Sequence, residues 1–238
     1  MKILALDSTA KIASCAVLED KRLLSLFNID NGLTQSELLL PMIEASLENL
    51  GLKISDIRML AVTVGPGSFT GVRIGTATVK GLAFGRDIPC APVSTLEALA
   101  YNLIGCEGIV VSAMDARRAQ VYTAIFHARN GEIERLSDDA ALPIDTLADM
   151  LKKYDGERIY IVGDGYSIAH SRLSELGIKL ECTPPLLTGQ SAYSVGLVGL
   201  KMHSNGECVT DMQITPTYLR LPQAERERLS KIETEIKK

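Results

Sequence analysis

The run Gly65-Pro66-Gly67-Ser68-Phe69-Thr70-Gly71-Val72-Arg73-Ile74-Gly75 constrains this chain more than any other stretch. It follows an apolar, strand-like run, Met59-Leu60-Ala61-Val62-Thr63-Val64, and opens a segment over 69–85 that reads as helix. A glycine turn feeding a helix N-terminus offers free backbone N–H groups and the positive end of the helix dipole, the makings of an anion site. The spacing matches neither familiar phosphate fingerprint. No Gly-Lys-Ser/Thr follows, and the glycines stand at 67, 71 and 75 rather than at G-x-G-x-x-G spacing. Steps of four put them near one helical face, with Gly81 and Gly85 beyond. Each interior glycine costs a helix about 1 kcal/mol against alanine, so several together imply that another backbone comes very close. That backbone belongs either to the same domain or to the helix of a second protein.

Residues 3–6, 12–18 and 22–28 read as three consecutive strands. Residues 36–50 read as a helix kinked at Pro41. Its apolar positions, Leu38, Leu39, Leu40, Met42, Ile43, Leu47 and Leu50, are too many for one narrow stripe and predict two covered faces. Residues 58–64 read as a buried strand, and Ser94 with Glu97 has the capping-box spacing that starts a helix at Thr95. The pattern then restarts. Strands over 109–114 and 120–128 lead to a hairpin turn at Asn130-Gly131. A helix over 145–154, a strand over 158–162, the turn Gly163-Asp164-Gly165, another helix and a late helix over 190–203 complete it. A shift of 108 residues aligns Ala5 with Ala113, Asp7 with Asp115, Ala16 with Ala124 and Val17 with Ile125 without a gap. The restart predicts an α/β chain of two lobes, residues 1–106 and 107–222, with a charged tail over 223–238.

Composition narrows the function classes. At 238 residues, 46% hydrophobic and 23% charged, the chain is ordinary globular material. Its net charge of -4 gives no general attraction to a phosphate backbone, and no basic stripe of the kind a stand-alone nucleic-acid binder carries is visible. The cysteines, Cys15, Cys90, Cys106, Cys182 and Cys208, are odd in number and widely spaced, so they indicate neither a disulfide framework nor a zinc site. Cys15 and Cys90 lie in apolar surroundings and read as small buried hydrophobes. Met1-Lys2 leads straight into a strand pattern without a signal-peptide core, and no apolar run reaches spanning length. The expectation is a soluble, cytoplasmic protein with no membrane partner.

Five segments in fixed order carry a family resemblance. They are Leu4-Ala5-Leu6-Asp7-Ser8-Thr9, Gln35-Ser36-Glu37-Leu38-Leu39-Leu40-Pro41, the 65–75 run, Met114-Asp115-Ala116-Arg117-Arg118-Ala119-Gln120-Val121-Tyr122 and Thr215-Pro216-Thr217-Tyr218-Leu219-Arg220. With them the chain closely resembles the YeaZ-type, glycoprotease-like family of bacterial tRNA threonylcarbamoyladenosine biosynthesis proteins. The glycine run is the specific part. One departure is visible: the family commonly has His where Gln35 stands. The doubling likewise resembles the actin-like ATPase fold, with nucleotide between two lobes and here a smaller, degenerate second lobe. That step is fold analogy and carries no function by itself.

The candidate chemistry is thin. Asp7-Ser8-Thr9 ends the first strand, where the actin-like resemblance places hydroxyl and backbone donors for phosphate and a carboxylate for its metal. The plainer reading is a strand-terminal turn satisfied locally. The matching second turn, Asp115-Ala116-Arg117-Arg118, has neither glycine nor hydroxyl. His127, His170 and His203 are the only histidines and no two stand four apart. The resemblance gives the catalytic paralogue of the pathway a His-x-x-x-His metal pair, whereas Gln35-Ser36-Glu37-Leu38-Leu39 has no histidine. Ser68 lacks a G-x-S-x-G setting. Gly163-Asp164-Gly165 reads as a plain turn, and Arg220 as a solvated charge on a segment packing back onto the body.

The resemblance implies a non-catalytic partner subunit in the making of N6-threonylcarbamoyladenosine at position 37 of tRNAs reading ANN codons. The resemblance implies a transferase subunit of the same fold as partner, a small ATPase as third component, tRNA bound through the complex, and no cofactor or metal. Leu39, Met42, Ile43, Leu47, Gly71 and Gly75 are the expected partner interface, the same face forming a homodimer when the partner is absent. Asp7, Ser8, Thr9 and Asp115 are the expected degenerate nucleotide cleft. The alternatives are an ATP-dependent kinase of the acetate or sugar class, and a peptidase.

Overall fold

The computed structural model describes residues 1–220; the charged tail expected over 223–238 lies outside the described residues. The first half runs β1 (Lys2–Asp7), β2 (Ala13–Glu19), β3 (Arg22–Ile29), α1 (Gln35–Asn49), β4 (Met59–Gly65), α2 (Phe69–Ala83), β5 (Cys90–Ser94) and α3 (Thr95–Tyr101). The second runs β6 (Gly108–Asp115), β7 (Gln120–Arg129), β8 (Glu132–Arg135), β9 (Ala140–Pro143), α4 (Ile144–Leu151), β10 (Ile159–Val162), α5 (Tyr166–Glu175) and α6 (Ala192–Ser204).

The first sheet has the order β3-β2-β1-β4-β5, an antiparallel meander extended by two parallel strands. The second has the order β10-β6-β7-β8, with β9 also pairing β7. Both halves thus build the same actin-like lobe, strand for strand, until the second stops short. Among the described residues no strand pairs with the outer side of β10; the chain leaving α5 makes a single ladder-like bond, Glu181 N–H to the Ile159 carbonyl at 2.8 Å.

Alternation along the strands sorts the core into three layers. Leu4, Leu6, Cys15 and Val17 face α1 and α2. Ile109, Val111, Ala113 and Ile125 face α4 and α5. Between the sheets lies a shared layer that holds Ile3, Ala5, Ala16 and Leu18 from one lobe, Val110, Met114, Ala124 and Phe126 from the other, and α3 and α6.

This layering runs across the expected lobe boundary. α6 follows the second lobe in sequence but covers the first sheet, where Gly196 lets Leu18 in and Gly199 sits against Ala61. A methyl on Gly196 would stand 2.6 Å from the Leu18 side chain, and one on Gly199 would stand 2.8 Å from that of Ala61. Val209 then bridges to Cys90 and Thr217 to Val64. The small residues Ala5, Ala16, Ala61 and Ala91 leave a shallow face that a glycine-bearing helix fits.

The duplication also has a register twist. β2 and β7 keep the 108 shift, since Ala16 and Ala124 face the shared layer while Val17 and Ile125 face the outer helices. Leu6 opposes Cys15, however, and Ala113 opposes Thr123. Ala113 therefore stands where Leu6 does, and the ungapped alignment is one residue out across β6. Between equivalent positions the second hairpin is one residue longer, nine residues between Ala113 and Thr123 against eight between Leu6 and Cys15, and a one-residue slip moves a whole strand's side chains to the other face. Asp115 corresponds to Ser8, not to Asp7.

α1 departs from its expected two covered faces. Leu38, Leu39, Met42, Ile43 and Leu47 are buried, but Leu40 is 51% exposed, so the helix has one broad inner face and one outer face. The helix continues through Pro41 to Asn49. α3 begins at Thr95 with Ser94 accepting the Glu97 N–H at 3.3 Å, while the Glu97 carboxylate turns to Arg135 at 3.2 Å.

Candidate functional site: the cleft between the lobes

The ends of β1, β4, β6 and β10 meet around a cleft of about 650 Å³. Thr9 and Lys11 come from the β1–β2 turn, Gly67, Ser68 and Phe69 from the start of α2, Asp115 and Arg117 from the β6–β7 turn, and Asp164 from the turn before α5. Tyr218 and Arg220 close the remaining side.

Of the expected cleft residues, Thr9 and Asp115 line it; Asp7 and Ser8 stand behind it. Asp7 is 1% exposed, and one carboxylate oxygen accepts both the Thr9 N–H at 2.8 Å and the Thr9 hydroxyl at 2.6 Å. Burial outweighs those bonds and pushes its pKa up to about 6, with the Asp164 charge adding to the rise. The neighbouring Thr63 hydroxyl on β4 approaches the same carboxyl, yet it is buried with no hydrogen-bond partner among the described residues. Ser8 is fully buried, and its hydroxyl donates to the Gly71 carbonyl at 2.8 Å.

That contact settles which backbone the glycines admit. A methyl group on Gly71 would overlap the Ser8 carbonyl oxygen, and one on Gly75 would lie 2.5 Å from Ser8 Oγ and 3.3 Å from Val62. Gly67, at φ +157°, meets Thr9 in the same way. The close approach is therefore internal, α2 against the end of β1. Leu39, Met42, Ile43 and Leu47 are buried beside it under α1. All six residues expected at a partner interface belong to the chain's own core, because the helical spacing that signals close contact is blind to which chain supplies it. The outward residues of the two helices are others, including Leu40, Glu44, Thr70, Arg73 and Ala77.

The anion reading of the glycine turn is also narrowed. Ser68 N–H donates to the Thr9 carbonyl at 2.7 Å, and Ser68 Oγ caps the Gly71 N–H at 3.2 Å, so local partners consume these donors. Across the cleft, Asp164 Oδ1 accepts the Asp115 N–H at 3.3 Å, and Asp115 Oδ1 accepts the Arg117 N–H at 2.7 Å. Burial raises the Asp164 pKa and the Asp115 charge adds to it, while Lys11 works the other way. A phosphate in this position would face two carboxylates. Among the described residues no three of His, Cys, Asp and Glu converge as a metal-holding group.

Gly163 and Gly165 serve a turn laid against β6: a methyl on Gly163 would overlap the Ala113 carbonyl, and Gly165 N–H donates to that oxygen at 3.0 Å. Gln35 donates through Nε2 to the Ala10 and Lys11 carbonyls at 2.8 and 3.2 Å, pinning the β1–β2 turn to α1. Arg220, expected to be a solvated charge, donates to the Ala116 carbonyl at 2.8 Å. Its partner lies 104 residues away, as Arg73 lies 145 from Tyr218, and no local pattern marks either pair.

The family model for TsaD, tRNA N6-adenosine threonylcarbamoyltransferase, matches residues 34–225. The chain is 30% identical to the Bacillus subtilis (strain 168) tRNA threonylcarbamoyladenosine biosynthesis protein TsaB, over 94% of this chain and 96% of that one. It is 31% identical to the Escherichia coli (strain K12) protein of the same name, over 92% and 95%. The solved structure of YeaZ from Pseudomonas aeruginosa superposes with a TM-score of 0.75 at 27% identity, covering 92% of this chain and 99% of that one. Component A of the Acidaminococcus fermentans (R)-2-hydroxyglutaryl-CoA dehydratase, at 14% identity and a TM-score of 0.50 over 86% and 99%, shares the fold alone. Family model, full-length relatives and fold agree, and the chain belongs to the TsaB family of tRNA threonylcarbamoyladenosine biosynthesis proteins.

Proposed function

We propose that this protein is the non-catalytic partner of the transferase that forms N6-threonylcarbamoyladenosine at position 37 of ANN-reading tRNAs. The observation that carries the reading is the state of the cleft: the Ser68 and Gly71 N–H groups are taken up locally, the second turn offers Asp115 and Arg117 in place of glycine and hydroxyl, and the chain's own Tyr218 and Arg220 roof it. A kinase of this fold needs preorganised phosphate donors on both sides. The peptidase alternative is weakened by Ser68, whose hydroxyl caps a helix rather than meeting a histidine.

The partner surface in this reading is the outer side of α1 and α2, carrying Leu40, Glu44, Arg73 and Ala77. Leu39, Met42, Ile43, Leu47, Gly71 and Gly75 hold the two helices in place from beneath. A transferase of the same fold would present its matching helices, a small ATPase would join the pair, and tRNA would bind through the assembly. The chain alone would use the same face to form a homodimer. The deciding experiment supplies threonylcarbamoyl-adenylate and tRNA to this chain alone, to the transferase alone and to both. The expected result is product with both and none with this chain alone. Turnover by this chain at the rate of the pair would overturn the proposal.

A further inference from the structure

The last described residues cross the molecule rather than trail from it. Ile214 is fully buried in the layer beneath α1 and α2. Thr217 N–H donates to the Val64 carbonyl on β4 at 2.7 Å. Tyr218 stacks on Phe69 with ring centres 4.8 Å apart, and its hydroxyl accepts from Arg73 Nε at 2.9 Å. The Arg73 guanidinium in turn covers the Phe69 ring at 3.7 Å. Arg220 then reaches the second lobe, donating to the Ala116 carbonyl at 2.8 Å and lying 5.7 Å from the Tyr122 ring centre.

What Arg220 grips is a strained turn. Arg117, Arg118 and Ala119 stand in sequence at φ +66°, +56° and +56°. Residues with a Cβ are strained in this left-handed region and stay there only when their surroundings over-determine it. The turn's own ties are Ala116 N–H to the Gln120 carbonyl at 3.0 Å, Gln120 N–H to the Arg117 carbonyl at 3.2 Å and the Asp115 bond to Arg117 N–H. Arg220 adds a tie from the other lobe at Ala116, the residue just before the left-handed stretch.

We propose that residues 214–220 are a clasp that ties the first lobe to the turn after β6 and keeps that turn wound. It has two states: seated, with Tyr218 against both Phe69 and Arg73 and Arg220 on Ala116, and released, with the turn free to relax. Arg73 is exposed on α2. A protein docking on that helix and drawing the guanidinium away would loosen Tyr218 and so release the clasp. This coupling rests on the partner surface proposed above; the clasp itself does not.

Hydrogen exchange on the full chain, read by peptide mass spectrometry, tests the clasp without a partner. Arg220→Ala is expected to speed exchange across residues 114–120 by about tenfold or more, with the strands of the first sheet unchanged. Tyr218→Phe, which keeps the stack and loses the Arg73 bond, is expected to give a smaller rise at the same place. Arg220→Lys, which can still reach the Ala116 carbonyl, is expected to restore most of the protection. It also answers the case in which Arg220→Ala fails to fold. Arg86→Ala, remote from the cleft and bonded to carbonyls of its own helix end, is expected to leave the turn alone. Unchanged exchange at 114–120 in a folded Arg220→Ala chain would overturn the clasp. Adding the transferase subunit to the wild-type chain is expected to speed exchange there. Binding without that change would overturn the relay through Arg73, and no binding would overturn the partner reading instead.

Discussion

At Gly75 the close approach of Ser8 decides what the residue is for. A methyl there meets Ser8 Oγ at 2.5 Å, so Gly75→Ala is expected to destabilise the fold by about 1–3 kcal/mol through overpacking. Ser8→Ala should recover part of that loss, since it removes the clashing oxygen, and contacting sites are not additive. Gly71→Ala should not be rescued the same way, because its methyl would overlap main chain. Thermal melts of the single and double variants check this; a Gly75→Ala chain that melts like wild type but fails to bind its partner would restore the interface reading. Asp7 supplies a pH signature. Its folded pKa of about 6 exceeds the ordinary 3.8, so the folded state binds the proton more tightly than the unfolded state does. The carboxyl's contribution is most favourable below pH 3.8 and is lost as pH rises to 6. Asp7→Asn keeps the acceptor for Thr9 and offers an N–H to the unpartnered Thr63 hydroxyl. It should raise stability by about 2–3 kcal/mol at pH 7 and by little at pH 4, read from denaturant melts at both values. At this scale the sequence made the close approach at 71 and 75 legible but not its partner. Spacing along a helix reports that a neighbour is near, and the neighbour's identity is tertiary.

Elements were legible where side-chain period and end signals agreed. The three opening strands, α1 and α2, the Ser94 start of α3 and the β7–β8 hairpin at Asn130-Gly131 all follow from apolar patterning, helical spacing, caps and turn residues. β5 went unmarked because it is five residues long, lies at the sheet edge and contains Pro92, whose missing N–H an edge strand tolerates. β9 went unmarked because it is four residues long with no alternation. The segment ending at Arg220 was legible as packing back onto the body, but its partners were not, since its bonds join residues over a hundred positions apart. The outer face of α1 gives the element-scale prediction. Leu40 is 51% exposed on the outer side of α1, so Leu40→Glu should leave the melting temperature within about 1 °C while weakening transferase binding at least about tenfold. Titration calorimetry beside a thermal melt reads both. Equal affinity in the variant would move the partner surface elsewhere.

The whole molecule has a shape that its order in sequence conceals: α6, the last helix named among the described residues, closes the first sheet, and a shared layer welds the lobes. The lobes were legible from the restart at Gly108, but the return of the chain was not, because nothing in a helix's own pattern names the sheet it covers. The same global view bears on RNA. The chain carries a net charge of -4, and the arginines at the cleft mouth are interleaved with carboxylates, Arg117 lying 3.7 Å from Asp115. Affinity for a phosphate backbone comes chiefly from releasing counterions, and each neutralised phosphate steepens the salt dependence. A surface with few uncompensated cations neutralises few phosphates. The chain alone should therefore bind tRNA no more tightly than the non-specific range of about 10⁻⁴–10⁻⁶ M at physiological salt, with a shallow slope. The assembled complex should bind more tightly, with a slope set by the transferase. Fluorescence titrations of labelled tRNA at several salt concentrations, run on each protein and on the pair, separate the contributions. Tight binding by this chain alone with a steep slope would mean that it holds the tRNA itself, and the division of labour between the two subunits would have to be redrawn.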